Sequence, residues 1–168
     1  MLFVITGNGK GKTTGALGMT VRALGQNLRC AVLQFIKTNP HACGEYATFN
    51  RLGVAWENYG CGFTWQQESM GPTKEECEKG WASFMEKVSG GNYDFILLDE
   101  FTYVLEYKLL DENMVLDVLR RYKDRVHVVI TGRNASDRLV ELADTVSVLE
   151  EVKHHYMKGI SAVKGIEF

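Results

Sequence analysis

Short unbroken apolar runs alternate along this chain with segments whose apolar positions recur every three or four residues. Leu2-Phe3-Val4-Ile5-Thr6 is the first run, stopped by a glycine, and it predicts a buried strand. From Thr13 to Gly25 the spacing turns helical: Leu17, Val21 and Leu24 share one face, and Gly25 is a stop signal. Cys30 to Ile36 predicts a second buried strand and Phe95-Ile96-Leu97-Leu98 a third, closing on Asp99-Glu100. Val126 to Thr131 predicts a fourth, stopped by Gly132, and Thr145 to Leu149 a last. Between them, Thr73 to Val88 predicts a helix with Trp81 and Phe84 inward, ended by Gly90-Gly91. Asn113 to Tyr122 predicts another, and Ser136 caps one running through Ala143. Gly60 to Gly71 predicts a loop holding three glycines and two aromatics, and the tail from Val152 to Phe168 shows no period.

Strands alternating with helices predict an α/β fold, with a mostly parallel central sheet and helices on both of its faces. The length of 168 residues fits one domain over 1–168, and no linker, repeat or low-complexity stretch divides it. In such sheets ligands sit beyond the carboxyl ends of the strands. Three polar runs follow strands here: Gly7 onward, Asp99-Glu100 and Gly132-Arg133.

Composition narrows the classes. Hydrophobic residues make up 45%, enough for a sizeable core and too many for a disordered chain. A net charge of −2 argues against a whole-surface nucleic-acid binder, and the cluster Arg120-Arg121, Lys123 and Arg125 reads as a solvated helix end. Cys30, Cys43, Cys61 and Cys77 include no CxxC pair, so they read as free thiols of a reducing compartment. No apolar run approaches the roughly 20 residues that cross a bilayer, and no basic leader precedes the first strand. The expectation is a cytoplasmic protein with neither nucleic acid nor membrane as partner.

The run Gly7-Asn8-Gly9-Lys10-Gly11-Lys12-Thr13-Thr14, between a predicted strand and a predicted helix, is the arrangement of a phosphate-binding loop. Glycines let successive N–H groups point at one oxyanion, and the following helix adds its positive end. Lys12 would reach phosphate oxygens, and the Thr13 hydroxyl would sit on magnesium. The usual pattern places a glycine where this chain has Thr6; Gly7, Gly9 and Gly11 stand instead, with Lys10 between them. The bland alternative is a glycine-rich turn with no ligand. Asp99-Glu100 would hold magnesium directly or through water, or be a solvated strand end or helix cap. Arg133 would neutralise a phosphate, or pair on the surface with Asp137 or Glu141.

These runs occur together with Val32-Leu33-Gln34-Phe35-Ile36-Lys37, Gly62-Phe63-Thr64-Trp65 and Leu98-Asp99-Glu100-Phe101-Thr102-Tyr103. Val129 to Arg133, Leu142 to Val146, Val152-Lys153-His154 and Gly165-Ile166-Glu167 complete the order. Nearly from end to end, the chain resembles the P-loop ATP:corrinoid adenosyltransferases of the housekeeping type. The resemblance implies a RecA-like, P-loop NTPase-like single domain and a transfer in place of a hydrolysis. A Co(I) corrinoid attacks the 5′ carbon of ATP, which lies reversed in the loop, and inorganic triphosphate leaves. The product is adenosylcobalamin or adenosylcobinamide. It implies Gly7 to Thr14 and Arg133 as ATP contacts, with Lys12 and Glu100 catalytic. Thr13 and Glu100 become ligands of Mg2+ (or Mn2+), with Asp99 a possible outer ligand. Phe63 and Trp65 become corrinoid-facing residues, which would exclude water from cobalt and ease its reduction; read from residues alone they are equally ordinary core aromatics.

Further expectations are a homodimer and an electron donor such as a reduced flavoprotein. His154-His155 reads as a surface pair and Cys61 as a plain thiol. Many relatives carry a leader before the first strand that helps cover the site; here the strand starts at Leu2, so the lid comes from elsewhere or the corrin site is more open. Two other functions stay in view: a P-loop ATPase or kinase releasing ADP, and a corrinoid or nucleotide sensor without turnover.

Overall fold

A computed structural model describes residues 1–37, 43–62 and 71–167. The described strands are β1 (Leu2–Thr6), β2 (Cys30–Phe35), β3 (Ala55–Tyr59), β4 (Phe95–Asp99), β5 (His127–Thr131) and β6 (Thr145–Val148). They form one all-parallel sheet in the order β3-β2-β4-β5-β1-β6. The helices are α1 (Lys12–Leu24), α2 (Gly44–Arg51), α3 (Gly71–Gly90), α4 (Phe101–Glu106), α5 (Glu112–Tyr122) and α6 (Asp137–Leu142). The fold is α/β with a parallel sheet, as the alternating pattern predicted, and is consistent with the P-loop NTPase-like fold that the resemblance implied.

Alternation along the central strands builds two cores. Ala31, Leu33 and Phe35 of β2 join Ile96 and Leu98 of β4 on the face covered by α3, α4, α5 and α6. Cys30, Val32, Phe95 and Leu97 point the other way, toward α1 and Phe49 of α2. Burial on both faces is what makes these strands continuous apolar runs. Trp81 and Phe84 lie inward on α3, their rings tilted at 31° with centroids 4.9 Å apart. Ser136 caps α6 by accepting the Leu139 amide at 3.1 Å, and Asp111 does the same for α5 through Met114.

The predicted strands β2, β4, β5 and β6 keep their identity, with ends moved by about one residue. Three elements, α2, β3 and α4, carried no prediction. Strand β3, Ala-Trp-Glu-Asn-Tyr, is a half-buried edge strand with only partial alternation, and α2 is short with one buried residue, Phe49. The predicted loop from Gly60 is seen through Gly62; Phe63 and Trp65 lie outside the described residues. No helix among the described residues is long and apolar enough to cross a membrane.

Helix α3 passes close to the sheet at Gly80, where an added Cβ would lie 2.6 Å from the Phe35 ring and 2.8 Å from Tyr59. Gly80→Ala should therefore lower stability by about 1–3 kcal/mol through overpacking, more than the gain of up to about 1 kcal/mol in helix propensity. Urea denaturation checks this; a stabilised variant would contradict the close approach.

Candidate functional site

Strand order decides which loops meet. β5 lies between β1 and β4, so the glycine loop after β1 and the acidic pair ending β4 flank Thr131 at the end of β5. Gly7 and Gly11 adopt φ of 100° and 109°, the left-handed region that glycine enters without strain. The Gly9 amide donates to Leu149 O at 2.7 Å, and a Cβ at Gly9 would lie 2.7 Å from Glu150 O. The turn is thus clamped on the chain leaving β6, which explains why side chains are excluded there. Helix α1 opens with neither a side-chain cap nor an acidic residue in its first turn, which leaves its positive end open to an anion.

Lys12 folds back so that Nζ donates to Gly9 O at 2.7 Å. Its pKa is lowered, first by burial and then by the charge of Arg133. Arg133 is exposed, pairs with neither Asp137 nor Glu141, and stands near enough to act on Lys12. Lys10 instead reaches the tail, with Nζ 2.6 Å from Glu167 Oε2.

Asp99 is fully buried and saturated with donors. Thr13 and Thr131 hydroxyls donate to Oδ1 at 2.8 and 2.7 Å, while Gln34 Nε2 and Lys37 Nζ reach Oδ2 at 2.8 and 3.4 Å. Burial pushes its pKa upward, but the Lys37 charge and the hydrogen bonds from Gln34, Thr131 and Thr13 outweigh that and hold it below the ordinary value. Glu100 behaves oppositely: burial and the Asp99 charge push its pKa up, and Lys37, 3.3 Å from Oε1, offsets this only in part. Glu100 sits at φ 59°, ψ 22°, its amide held by the Thr131 hydroxyl at 2.9 Å. Its Oε2 is buried with no hydrogen-bond partner.

Gly11, Lys12, Thr13, Thr14, Lys37, Glu100 and Trp56 line one cavity of about 280 Å³. Among the described residues no three His, Cys, Asp or Glu side chains cluster into a self-sufficient metal centre. A hydroxyl beside one under-used carboxylate suits a cation that brings other ligands with it. A larger hollow of about 730 Å³, between α3 and α5, is lined neither by the glycine loop nor by Asp99 or Glu100. Convergent polar chemistry, not volume, marks the smaller cavity as the candidate. His154 and His155 stack on each other at 4.3 Å beside the exposed tail, consistent with a surface pair. His154 also lines a shallow hollow with Arg133.

The structure thus brings together Lys12, Thr13, Asp99 and Glu100. It adds Gln34, Thr131 and above all Lys37, whose roles the sequence reading did not assign. Lys37 follows the apolar run of β2, so the rule that picked out Asp99-Glu100 at a strand end would have found it.

The model of one protein family, described as ATP:corrinoid adenosyltransferase BtuR/CobO/CobP, matches residues 1–168. A corrinoid adenosyltransferase of Escherichia coli strain K12 is 37% identical over 169 residues, covering 100% of this chain and 85% of the relative. Corrinoid adenosyltransferase CobA of Salmonella typhimurium is 36% identical with the same coverage, and a corrinoid adenosyltransferase of Pseudomonas aeruginosa is 36% identical over 170 residues, covering 100% and 83%.

Proposed function

The chain belongs to the ATP:corrinoid adenosyltransferase family, and on that premise we propose that it transfers the 5′-deoxyadenosyl group of ATP to a Co(I) corrinoid through the cavity beneath the glycine loop. The cobalt electron pair forms the Co–C5′ bond. The C5′–O bond breaks, and its electron pair leaves with inorganic triphosphate. The observation that carries this reading is the meeting of Lys12, Thr13 and the unpartnered Glu100 carboxylate oxygen in one cavity at the end of β4.

In this reading the loop from Gly7 to Thr14 holds the triphosphate through amides other than that of Gly9, which Leu149 O takes, and Lys12 exchanges Gly9 O for phosphate oxygens. Arg133 supplies a second positive charge from the adjacent strand end. The residues fit a magnesium ion. The Thr13 hydroxyl donates its hydrogen bond to Asp99 and so keeps lone pairs free, while Glu100 offers Oε2; magnesium takes one or two carboxylates together with phosphate oxygens. When bound, the ion spreads the charge of the departing triphosphate. Asp99, with every lone pair direction engaged, orients Thr13 and acts as an outer partner of the ion. Phe63 and Trp65, which follow β3 by a few residues, would press apolar surface on the corrin and exclude water. Residues 1–168 work as one domain, as a homodimer in the cytoplasm, taking electrons from a donor such as a reduced flavoprotein; the family resemblance is the support for these points.

Incubation with ATP, magnesium and chemically reduced cobalamin should yield adenosylcobalamin and triphosphate in equal amounts. Recovery of ADP or orthophosphate with no cobalt–carbon product would replace this reading by an ATPase.

A further inference from the structure

The cavity has a second end. Trp56 lines it opposite the glycine loop, on edge strand β3 in register with Val32. Its indole N–H is shielded from solvent and has no hydrogen-bond acceptor. The contrast within the chain is direct, because the Trp81 N–H finds Met114 Sδ at 3.1 Å. An unmet buried donor is costly and is rarely left so without a reason. The ring itself is held firmly: Tyr46 meets it edge-on at 5.8 Å between centroids, and Phe49 packs at 5.9 Å.

Distance selects the occupant. β3 and β4 are separated by β2 alone, and Trp56 is level with Leu97, two residues short of Asp99, so it stands ~12 Å from the acidic pair that ends β4. Lys12 and Thr13 mark the anionic end of the same recess. A single ligand with a polyanionic end and a flat heteroaromatic end matches both. A corrin macrocycle with its amide arms is too broad for a recess of about 280 Å³, whereas a purine nucleoside is of the right scale.

We propose that Trp56 forms the nucleoside subsite of this cavity, its indole N–H donating to an acceptor on the bound purine nucleoside of ATP. This rests on the adenosyltransferase reading and deepens it: the loop grips the phosphates, and Trp56 fixes the adenosyl group that is to be transferred. Guanine carries similar ring acceptors, so Trp56 senses the presence of a purine nucleoside without naming which.

The test is calorimetric titration of the whole protein, without corrinoid, with Mg-ATP and separately with inorganic tripolyphosphate. Trp56→Phe keeps a ring and removes the N–H. It should weaken ATP binding about five- to tenfold, the scale of one neutral hydrogen bond, and leave tripolyphosphate binding unchanged. Unchanged tripolyphosphate affinity also shows that the variant is folded. Unaltered ATP affinity, or an equal loss for both ligands, overturns the subsite. So does a variant whose corrinoid KM alone rises. If the unsubstituted protein binds neither ligand, the nucleotide reading falls and takes this inference with it.

Discussion

Lys12→Ala should lower kcat/KM for ATP by about 10²–10³-fold, the loss seen when one preorganised donor to a developing negative charge is removed. Triphosphate departs carrying the electrons of the C5′–O bond, and Lys12 is the cation whose Nζ already points into the turn, on Gly9 O. Its lowered pKa reflects burial and the neighbouring Arg133 charge, both of which an arriving polyanion would compensate. The fold should barely notice the change. Lys12 makes one hydrogen bond to a loop carbonyl, so the midpoint of urea denaturation should stay close to that of the unsubstituted protein. Steady-state assays with reduced cobalamin check the first half, and near-normal turnover would remove Lys12 from its assigned role.

Asp99→Ala should do the reverse, unfolding the protein at much lower urea. Four donors converge on this carboxylate, from Thr13, Gln34, Lys37 and Thr131. Removing it strands the buried Gln34 amide and two hydroxyls. Lys37 is 31% exposed at its side chain and still has Glu100, so the full cost of an orphaned buried charge does not apply. Loss of Asp99 also relieves its repulsion of Glu100. The balance is a loss of about 2–4 kcal/mol. Asp99→Asn should lose less, because its carbonyl still accepts from both threonines while its NH2 opposes Gln34 Nε2. Gln34 cannot turn over freely, since its Oε1 accepts from Asn58 Nδ2 at 3.2 Å. A denaturation midpoint for Asp99→Ala matching the unsubstituted protein would show that this network contributes nothing to the fold.

The amino-acid sequence by itself determined the α/β class, because β2 and β4 are buried on both faces and so are apolar runs, broken only by Gln34 and Asp99 near their carboxyl ends. It determined the loop chemistry too, since glycines that admit no Cβ and the lysine-threonine pair that follows are contiguous in the chain. Strand β3 stayed hidden because an edge strand with half-buried positions keeps only a faint period. Tertiary structure alone decided that Thr13, Gln34, Lys37 and Thr131 meet on Asp99, across 86, 65, 62 and 32 residues of chain. It also decided that Asp99 is spent while Glu100 next to it keeps a free oxygen, and that the Trp56 N–H goes unanswered. The reason is physical. Periodicity and glycine placement are local and leave their mark along the chain, whereas the order of parallel strands is set by long-range pairing and settles which strand ends become neighbours.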